Sequence, residues 1–144
     1  MTALDLDAAR AALRSDLTID IVTTGRRSGL PRTTEIWFMV VDDTVYICGT
    51  PGAGSDERDR WPRDWMANLL AEPAFVFVLK ESVRLELPAR ATPVTDRAER
   101  RRVFASPVTG WYRNQTGSVD ALVDHGPIVR VEFVGAASPL NGTF

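Results

Sequence analysis

Residues 18–49 read TIDIVTTGRRSGLPRTTEIWFMVVDDTVYICG, and the pattern of this stretch decides the fold. Its first part, Thr18–Thr23, consists of β-branched and apolar residues and is typical of a strand. The run Gly25–Gly29 then places two arginines and a serine between two glycines, which breaks the strand pattern. We therefore predict a strand that ends in a polar turn.

The second part of the stretch has the pattern of a β-hairpin. From Arg32 to Val41, Ile36, Phe38 and Val40 fall on one face, whereas Thr33, Glu35, Trp37 and Met39 fall on the other. The acidic pair at 42 and 43 can form a tight turn, and Thr44–Gly49 repeats the strand signature. A long strand and a shorter antiparallel partner are predicted.

Working outward, the remaining chain adds three strands and three helices. The predicted strands are Ala74–Leu79, Val83–Val94 and Pro127–Val134. The first predicted helix is Asp5–Ser15, and the second runs from Trp61 or Pro62 to just before Pro73. The third is capped by Thr95 or Asp96 and runs to Ala105. Because the helices interrupt the strands without alternating with them, the pattern favours a small antiparallel barrel over a doubly wound sheet. The fold class is mainly β (α+β), with peripheral helices.

The chain divides into three parts in this interpretation. Residues 1–17 form an N-terminal helix, residues 18–134 form the barrel domain, and residues 135–144 form a loosely tied C-terminal tail. The length of 144 residues fits one compact domain.

Composition excludes several classes of function. A formal net charge of −2 gives no basic excess for a nucleic-acid backbone. The single cysteine, Cys48, cannot form an internal disulfide, and the N-terminus has neither a secretory pattern nor an apolar span. We expect a cytoplasmic protein without an integral membrane segment or nucleic-acid partner.

Few side chains could perform chemistry unaided. With only His125 and Cys48 as nitrogen and sulfur ligands, the chain lacks the usual set for a metal site, and no triad motif is present. We interpret His125 as structural and Cys48 as a core residue. Glu35 is either a buried base or a solvent-facing carboxylate, and the second interpretation is favoured. Either the protein performs no chemistry, or a cofactor carries it while the protein orients that cofactor.

The run Thr23–Arg32 is the place where a cofactor could bind. It combines three arginines, two glycines and three hydroxyl side chains within ten residues, which can surround a phosphate or carboxylate. The alternative is a solvated basic turn, and composition alone does not decide between the two.

Three segments together resemble a known family. They are TTGRRSGLPRTTEIWF at 23–38, the hairpin end Ile47–Thr50, and the helix Asp64–Pro73. In this order they resemble the deazaflavin (F420)-dependent nitroreductase family, within the split β-barrel group of flavin and deazaflavin oxidoreductases that includes pyridoxamine phosphate oxidases. The resemblance covers about Thr18 to Val134. It implies a six-stranded antiparallel split β-barrel that binds F420 and transfers a hydride to a small electron-poor acceptor (a quinone, an enone or a nitroaromatic).

The resemblance also implies site residues. The cofactor-binding set comprises Arg26, Arg27, Ser28, Arg32, Trp37, Thr50, Trp65 and Asn68. Its first four members fall on the turn that grips the anionic tail of the cofactor. Trp37 falls on an aromatic position of the ring pocket, and Thr50 falls near the reactive ring. Trp65 and Asn68 fall on the helix beside the cofactor.

The acceptor side of the predicted site rests on two aromatic residues. Trp111 and Tyr112 fall where relatives carry aromatics beside the acceptor, and Tyr112 is the candidate catalytic proton donor. The loop Pro51–Arg60 departs from the family pattern, which has a lysine and glycines after the hydroxyl. The alternatives are therefore an FMN-dependent oxidoreductase of the same barrel group and a non-catalytic binder of haem, lipid or pigment. A homodimer is also expected from the wider group.

Overall fold

The computed structural model describes residues 5–49, 64–107, 120, 123–124 and 126–143. The helices are α1 (Leu6–Ser15), α2 (Asp64–Ala71), α3 (Arg97–Ala105) and a 3₁₀ helix (Gly135–Leu140), and the strands are β1 (Thr18–Thr24), β2 (Pro31–Val41), β3 (Thr44–Cys48), β4 (Ala74–Leu79), β5 (Leu85–Pro93) and β6 (Ile128–Phe133). These elements match the predicted order.

The six strands form a closed antiparallel barrel in the order β1-β2-β3-β6-β5-β4, with β4 returning to β1. The local hairpins pair as the alternation predicts, for example with Val40 opposite Val45. Three pairings join distant segments: Ile19 of β1 lies opposite Leu79 of β4, Val45 of β3 lies opposite Val131 of β6, and Ala89 of β5 lies opposite Phe133 of β6. The predicted fold class, a six-stranded antiparallel barrel with peripheral helices, is confirmed.

The interior of the barrel is filled by alternate residues of each strand. Ile19 and Ile21 of β1 are fully buried because successive side chains of a strand point to opposite faces. Across the interior, Phe77 packs edge-to-face against Phe38 and Phe133, with ring centroids 5.5 and 5.3 Å apart. These aromatic contacts tie β2, β4 and β6 into one core.

The helix α1 and the C-terminal segment pack against this interior core. Asp5 caps α1 by accepting a hydrogen bond from the Ala8 amide at 3.0 Å. In the C-terminal segment, Ala137 and Leu140 are fully buried, and the Asn141 side chain bonds both backbone groups of Phe133. The expectation of a loosely tied tail is therefore wrong. A six-residue 3₁₀ helix is too short to show a hydrophobic period in the sequence.

The helix α3 covers a second core on the outer face of the sheet. Met39 and Tyr46 pack there with Phe104 of α3, whereas Ile36 and Phe38 of β2 join the interior core. The two predicted faces of β2 are thus confirmed. Asp96 caps α3 through the amide of Glu99 at 2.9 Å.

The strand β5 begins two residues later than predicted, at Leu85 and not at Val83. The two residues before the predicted strand bind the segment that leads into β1. Glu81 accepts hydrogen bonds from the amides of Leu17 and Thr18 at 2.6 and 2.9 Å, and Ser82 bonds Asp16. Among the helices of the described residues, none is long and apolar enough to cross a bilayer.

Candidate functional site

The polar turn that joins β1 to β2, together with the first two residues of β2, spans residues 25–32 and is called the arginine turn. The Gly29 amide donates to the Gly25 carbonyl at 2.8 Å, and the Leu30 amide donates to Ser28 Oγ at 3.1 Å. Gly29 has a φ of +70°, which favours glycine. A Cβ at Gly25 would lie 2.6 Å from Ser28 Oγ and 3.2 Å from the Leu30 carbonyl oxygen. Gly29 thus suits the left-handed backbone of the turn, and a side chain at Gly25 would crowd Ser28 and Leu30.

Asn68 fixes α2 against the arginine turn. Its side chain is only 5% exposed. Asn68 Oδ1 accepts hydrogen bonds from the Arg26 amide at 3.0 Å and from Arg26 Nη1 at 3.2 Å. Its Nδ2 donates to Thr23 Oγ1 at 3.3 Å, and Thr23 is itself buried. Every buried polar atom of this amide thus has a partner inside the protein.

Trp65 lies one turn before Asn68 on α2 and is buried against the end of β3. A Cβ on Gly49 would lie 3.1 Å from Trp65 Cζ2 and 2.8 Å from Pro127 Cγ. Glycine at position 49 therefore allows β3, β6 and α2 to meet closely. This contact brings the residue that precedes Thr50 to the Trp65 ring.

A cleft of about 440 Å³ lies beside the arginine turn. Its lining residues are Gly25, Arg26, Arg27, Ser28, Arg32, Thr33, Thr34, Trp65 and Asn68. The described lining therefore contributes three guanidinium groups and no carboxylate. Within the described part of the chain, the side chains of Arg27 and Arg32 form no ion pair or hydrogen bond, and both are exposed. This charge distribution suits an anionic ligand that takes forked hydrogen bonds.

The structure brings six of the predicted site residues together in this cleft: Arg26, Arg27, Ser28, Arg32, Trp65 and Asn68. Trp37 is not among the lining residues. It is half-buried and packs against the outer core that α3 covers. Thr50, Trp111 and Tyr112 lie outside the described residues, as do the loop Pro51–Arg60 and His125.

Sequence reasoning missed two threonines of the cleft and the role of a third, Thr23, which it had included in the candidate run Thr23–Arg32. Thr33 and Thr34 line the cleft, and Thr23 bonds Asn68 from beneath. Two consecutive hydroxyl residues directly after Arg32 are the signal that could have pointed to the first pair. No comparable signal joins Thr23 to Asn68, because 45 residues separate them.

The other candidate chemical groups are placed as structural residues. Cys48 is buried, its Sγ lies 3.2 Å from Met39 Sδ, and burial raises the pKa of its thiol. Glu35 has a 69% exposed side chain and forms an ion pair with Lys80, which also pairs with Asp20 at 2.8 Å. The solvent-facing interpretation of Glu35 is therefore confirmed. No cluster of three or more metal-ligating side chains occurs within the described ranges.

Sequence reasoning also missed a hydrogen-bond network between α3 and the strands β3 and β6. Tyr46 donates a hydrogen bond to Glu99 at 2.8 Å, and Arg130 donates to both oxygens of the same carboxylate at 3.2 and 3.0 Å. The Arg130 guanidinium holds the pKa of Glu99 below its ordinary value, and burial raises the pKa of Tyr46. This network joins α3 to the barrel wall.

One family profile matches most of the chain. The sequence profile of the family described as F420H(2)-dependent quinone reductase matches residues 11–133. No curated protein matches the sequence at significant similarity.

Solved structures share the fold at low sequence identity. An F420 reductase is 18% identical, with a TM-score of 0.61, over 88% of this chain and 93% of that one. A protein of the pyridoxinephosphate oxidase family from Clostridium acetobutylicum is 11% identical, with a TM-score of 0.63, over 88% and 81%. The haem storage protein HutZ from Vibrio cholerae is 15% identical, with a TM-score of 0.52, over 93% and 92%. At such identities the likeness concerns the fold.

Proposed function

This chain belongs to the F420H(2)-dependent quinone reductase family, and we propose that it binds reduced F420 and transfers a hydride to a small electron-poor acceptor. A quinone is the first candidate for that acceptor, and an enone or a nitroaromatic is the next. When bound, the deazaflavin supplies the hydride. The contribution of the protein is to bind and orient the two reactants.

The observation that carries this proposal is the cleft beside the arginine turn. F420 differs from a simple flavin in its tail, which carries a phosphate and several glutamate carboxylates. A lining of three guanidinium groups with no described carboxylate matches such a tail. Arg27 and Arg32, which lack partners within the described residues, are the groups that we expect to bind its anionic oxygens.

The neighbouring hydroxyl groups fit the same ligand. Ser28 accepts from the Leu30 amide, so its Oγ–H is available to donate to an anionic oxygen. Thr33 and Thr34 line the adjacent wall and can donate in the same way. Trp65 supplies the apolar part of the lining, against which a ring or an alkyl chain can pack.

The acceptor side of the proposal rests on the family resemblance. We assign the acceptor wall to Trp111 and Tyr112, with Tyr112 as the donor of a hydrogen bond or a proton to the acceptor oxygen. In this assignment Tyr112→Phe lowers the turnover number and leaves F420 affinity unchanged. Unchanged turnover would reduce Tyr112 to an apolar wall residue.

Parallel titrations with oxidised F420 and with FMN test the proposal. The two ligands share a tricyclic ring but differ in the length and charge of the tail. We expect F420 to bind at least tenfold more tightly, because FMN has a single phosphate for the three arginines. Binding of FMN with no binding of F420 would support an FMN-dependent oxidoreductase of the same barrel fold.

Turnover then separates a catalyst from a binder. Reduced F420 is mixed with a soluble quinone, and its oxidation is followed by absorbance with and without the protein. Tight binding of F420 without any acceleration, for a quinone, an enone and a nitroaromatic alike, would indicate a non-catalytic ligand binder.

A further inference from the structure

Asn68 contacts two parts of the β1–β2 hairpin at once. Its Oδ1 accepts from both the amide and the guanidinium of Arg26, and its Nδ2 donates to Thr23 on β1. Thr23 in turn donates to the carbonyl of Arg32 at 3.5 Å, where the chain leaves the turn. A single amide group on α2 therefore links the entry and the exit of the arginine turn.

The orientation of the Arg26 side chain follows from this contact. An exposed arginine on a turn samples many rotamers, and fixing them costs conformational entropy when a ligand binds. The bond from Nη1 to Asn68 Oδ1 uses one of the five guanidinium N–H donors and fixes the direction of the group. The conformational entropy of the Arg26 side chain is then lost when the protein folds and not when a ligand binds.

The same geometry leaves little of Asn68 for a ligand. Asn68 is only 5% exposed, and both the oxygen and the nitrogen of its side-chain amide form hydrogen bonds with protein atoms. By contrast, Arg27 and Arg32 line the same cleft and are exposed. Asn68 can thus influence a ligand in the cleft through the groups that it holds.

We propose that Asn68 is a positioning residue, which increases the affinity for the anionic tail of the cofactor by holding Arg26 and has no direct contact with the cofactor. This inference rests on the proposed function. It assigns Asn68 an indirect role, whereas the family resemblance alone places it among the cofactor contacts. Thr23 supports this role, because its hydrogen bond with Asn68 Nδ2 fixes the rotation of the Asn68 amide.

A double-mutant cycle tests the proposal, with the dissociation constant of F420 as the readout. Asn68→Ala is measured in the wild-type, Arg26→Ala and Arg27→Ala backgrounds. In the wild type we expect the affinity to fall about tenfold, as for loss of a charge-assisted contact. In the Arg26→Ala background the same change should cost at most about threefold, because the positioned group is gone. In the Arg27→Ala background, the matched control, it should again cost about tenfold.

The ring fragment of F420, which lacks the phosphate and the glutamates, gives a second readout. Its affinity should change by less than about twofold in Asn68→Ala, because the arginine turn binds the tail. An equal loss of F420 affinity in all three backgrounds would overturn the proposal and make Asn68 a direct contact. A loss of affinity for the ring fragment as large as that for F420 would also overturn it.

Thr23→Val provides a variant that preserves the shape of the strand residue. It removes the acceptor for Asn68 Nδ2, so we expect F420 affinity to fall about threefold in the wild type and not in Arg26→Ala. An equal loss in both backgrounds contradicts the proposal, and this outcome decides the case if Asn68→Ala does not fold. If the wild-type protein binds no F420 at all, the proposed function fails, which is a separate result.

Discussion

Two groups of arginines in this molecule have opposite uses. The arginines of α3 bind protein atoms. Three of them form ion pairs with aspartates: Arg97 with Asp124, Arg101 with Asp120 and Arg102 with Asp42. The fourth, Arg100, donates hydrogen bonds to the backbone carbonyls of Val94, Val123 and Gly126. In the arginine turn, Arg26 is oriented by Asn68, and Arg27 and Arg32 bind no partner within the described residues. Composition cannot separate these groups, because both are short runs rich in arginine.

The difference shows that the bonding partners of an arginine side chain indicate whether it serves the fold or a ligand. An arginine that satisfies buried carbonyls contributes to folding, and its loss leaves those carbonyls without donors. An exposed arginine without a partner contributes little to stability and is available to a ligand. The following predictions test this comparison.

Arg100→Met should have the largest effect on stability. The guanidinium donates to three backbone carbonyls at 2.6 to 2.9 Å, and its centre lies 6.0 Å from the Phe104 ring centroid. We expect a loss of about 3 kcal/mol of unfolding free energy, measured by denaturant titration. Arg101→Ala on the same helix is the matched control and should cost less than about 0.5 kcal/mol, because its pair with Asp120 is exposed. Equal losses in the two variants would refute the distinction.

Arg27→Ala and Arg32→Ala should give the reverse result. Each should weaken F420 binding by about 1.5–3 kcal/mol, and Arg26→Ala should do the same. The unfolding free energy should stay within about 0.5 kcal/mol of the wild type for Arg27→Ala and Arg32→Ala. Calorimetric titration and denaturant unfolding give the two values. Wild-type affinity in all three variants would leave the turn as a solvated basic loop.

The pH dependence of stability should distinguish the α3 side from the arginine turn. Arg130 lowers the pKa of Glu99 from its ordinary value of 4.5, so the stability that this carboxylate contributes is present above that pH and is lost as the pH falls below it. We expect Glu99→Gln to be less stable by about 1–2 kcal/mol at neutral pH. The difference in unfolding free energy between the wild type and Glu99→Gln should become smaller as the pH falls below about 4.5. A gap that stays constant down to pH 3 would show that the ion pair contributes nothing.

Salt should affect ligand binding more than folding. Exposed guanidinium groups are screened by ions, so F420 affinity should fall severalfold when the salt concentration rises from about 0.05 to 0.5 M. The fall should be smaller in Arg27→Ala, because one of the screened contacts is already absent. An identical salt dependence in the wild type and this variant, measured by fluorescence titration, would separate Arg27 from the tail.

Local patterns predicted the elements of this fold well. The alternation over 32–41 predicted both faces of β2, and the acidic caps predicted the starts of α1 and α3, because these signals depend on near neighbours. The β1–β4 and β3–β6 pairings that close the barrel join distant residues, so periodicity could not show them. Closure was inferred from the number and order of strands, supported by the family resemblance.

The candidate site was predictable only in part, for the same reason. The arginine turn is contiguous in sequence and was found there. The contacts of Asn68 span 42 and 45 residues, and those of Arg100 reach a segment more than 20 residues away, so no spacing rule reveals them. Trp37 was assigned from resemblance, and its packing on the outer core depends on where α3 lies.

The most direct test of the central claim is the rise in melting temperature caused by F420 in three proteins: the wild type, Arg27→Ala and Arg101→Ala. A ligand stabilises the folded state in proportion to the logarithm of its concentration over its dissociation constant. We predict the same rise in the wild type and Arg101→Ala and a clearly smaller rise in Arg27→Ala. A full rise in Arg27→Ala, or a lost rise in Arg101→Ala, would contradict the assignment of the arginine turn to the ligand and of α3 to the fold.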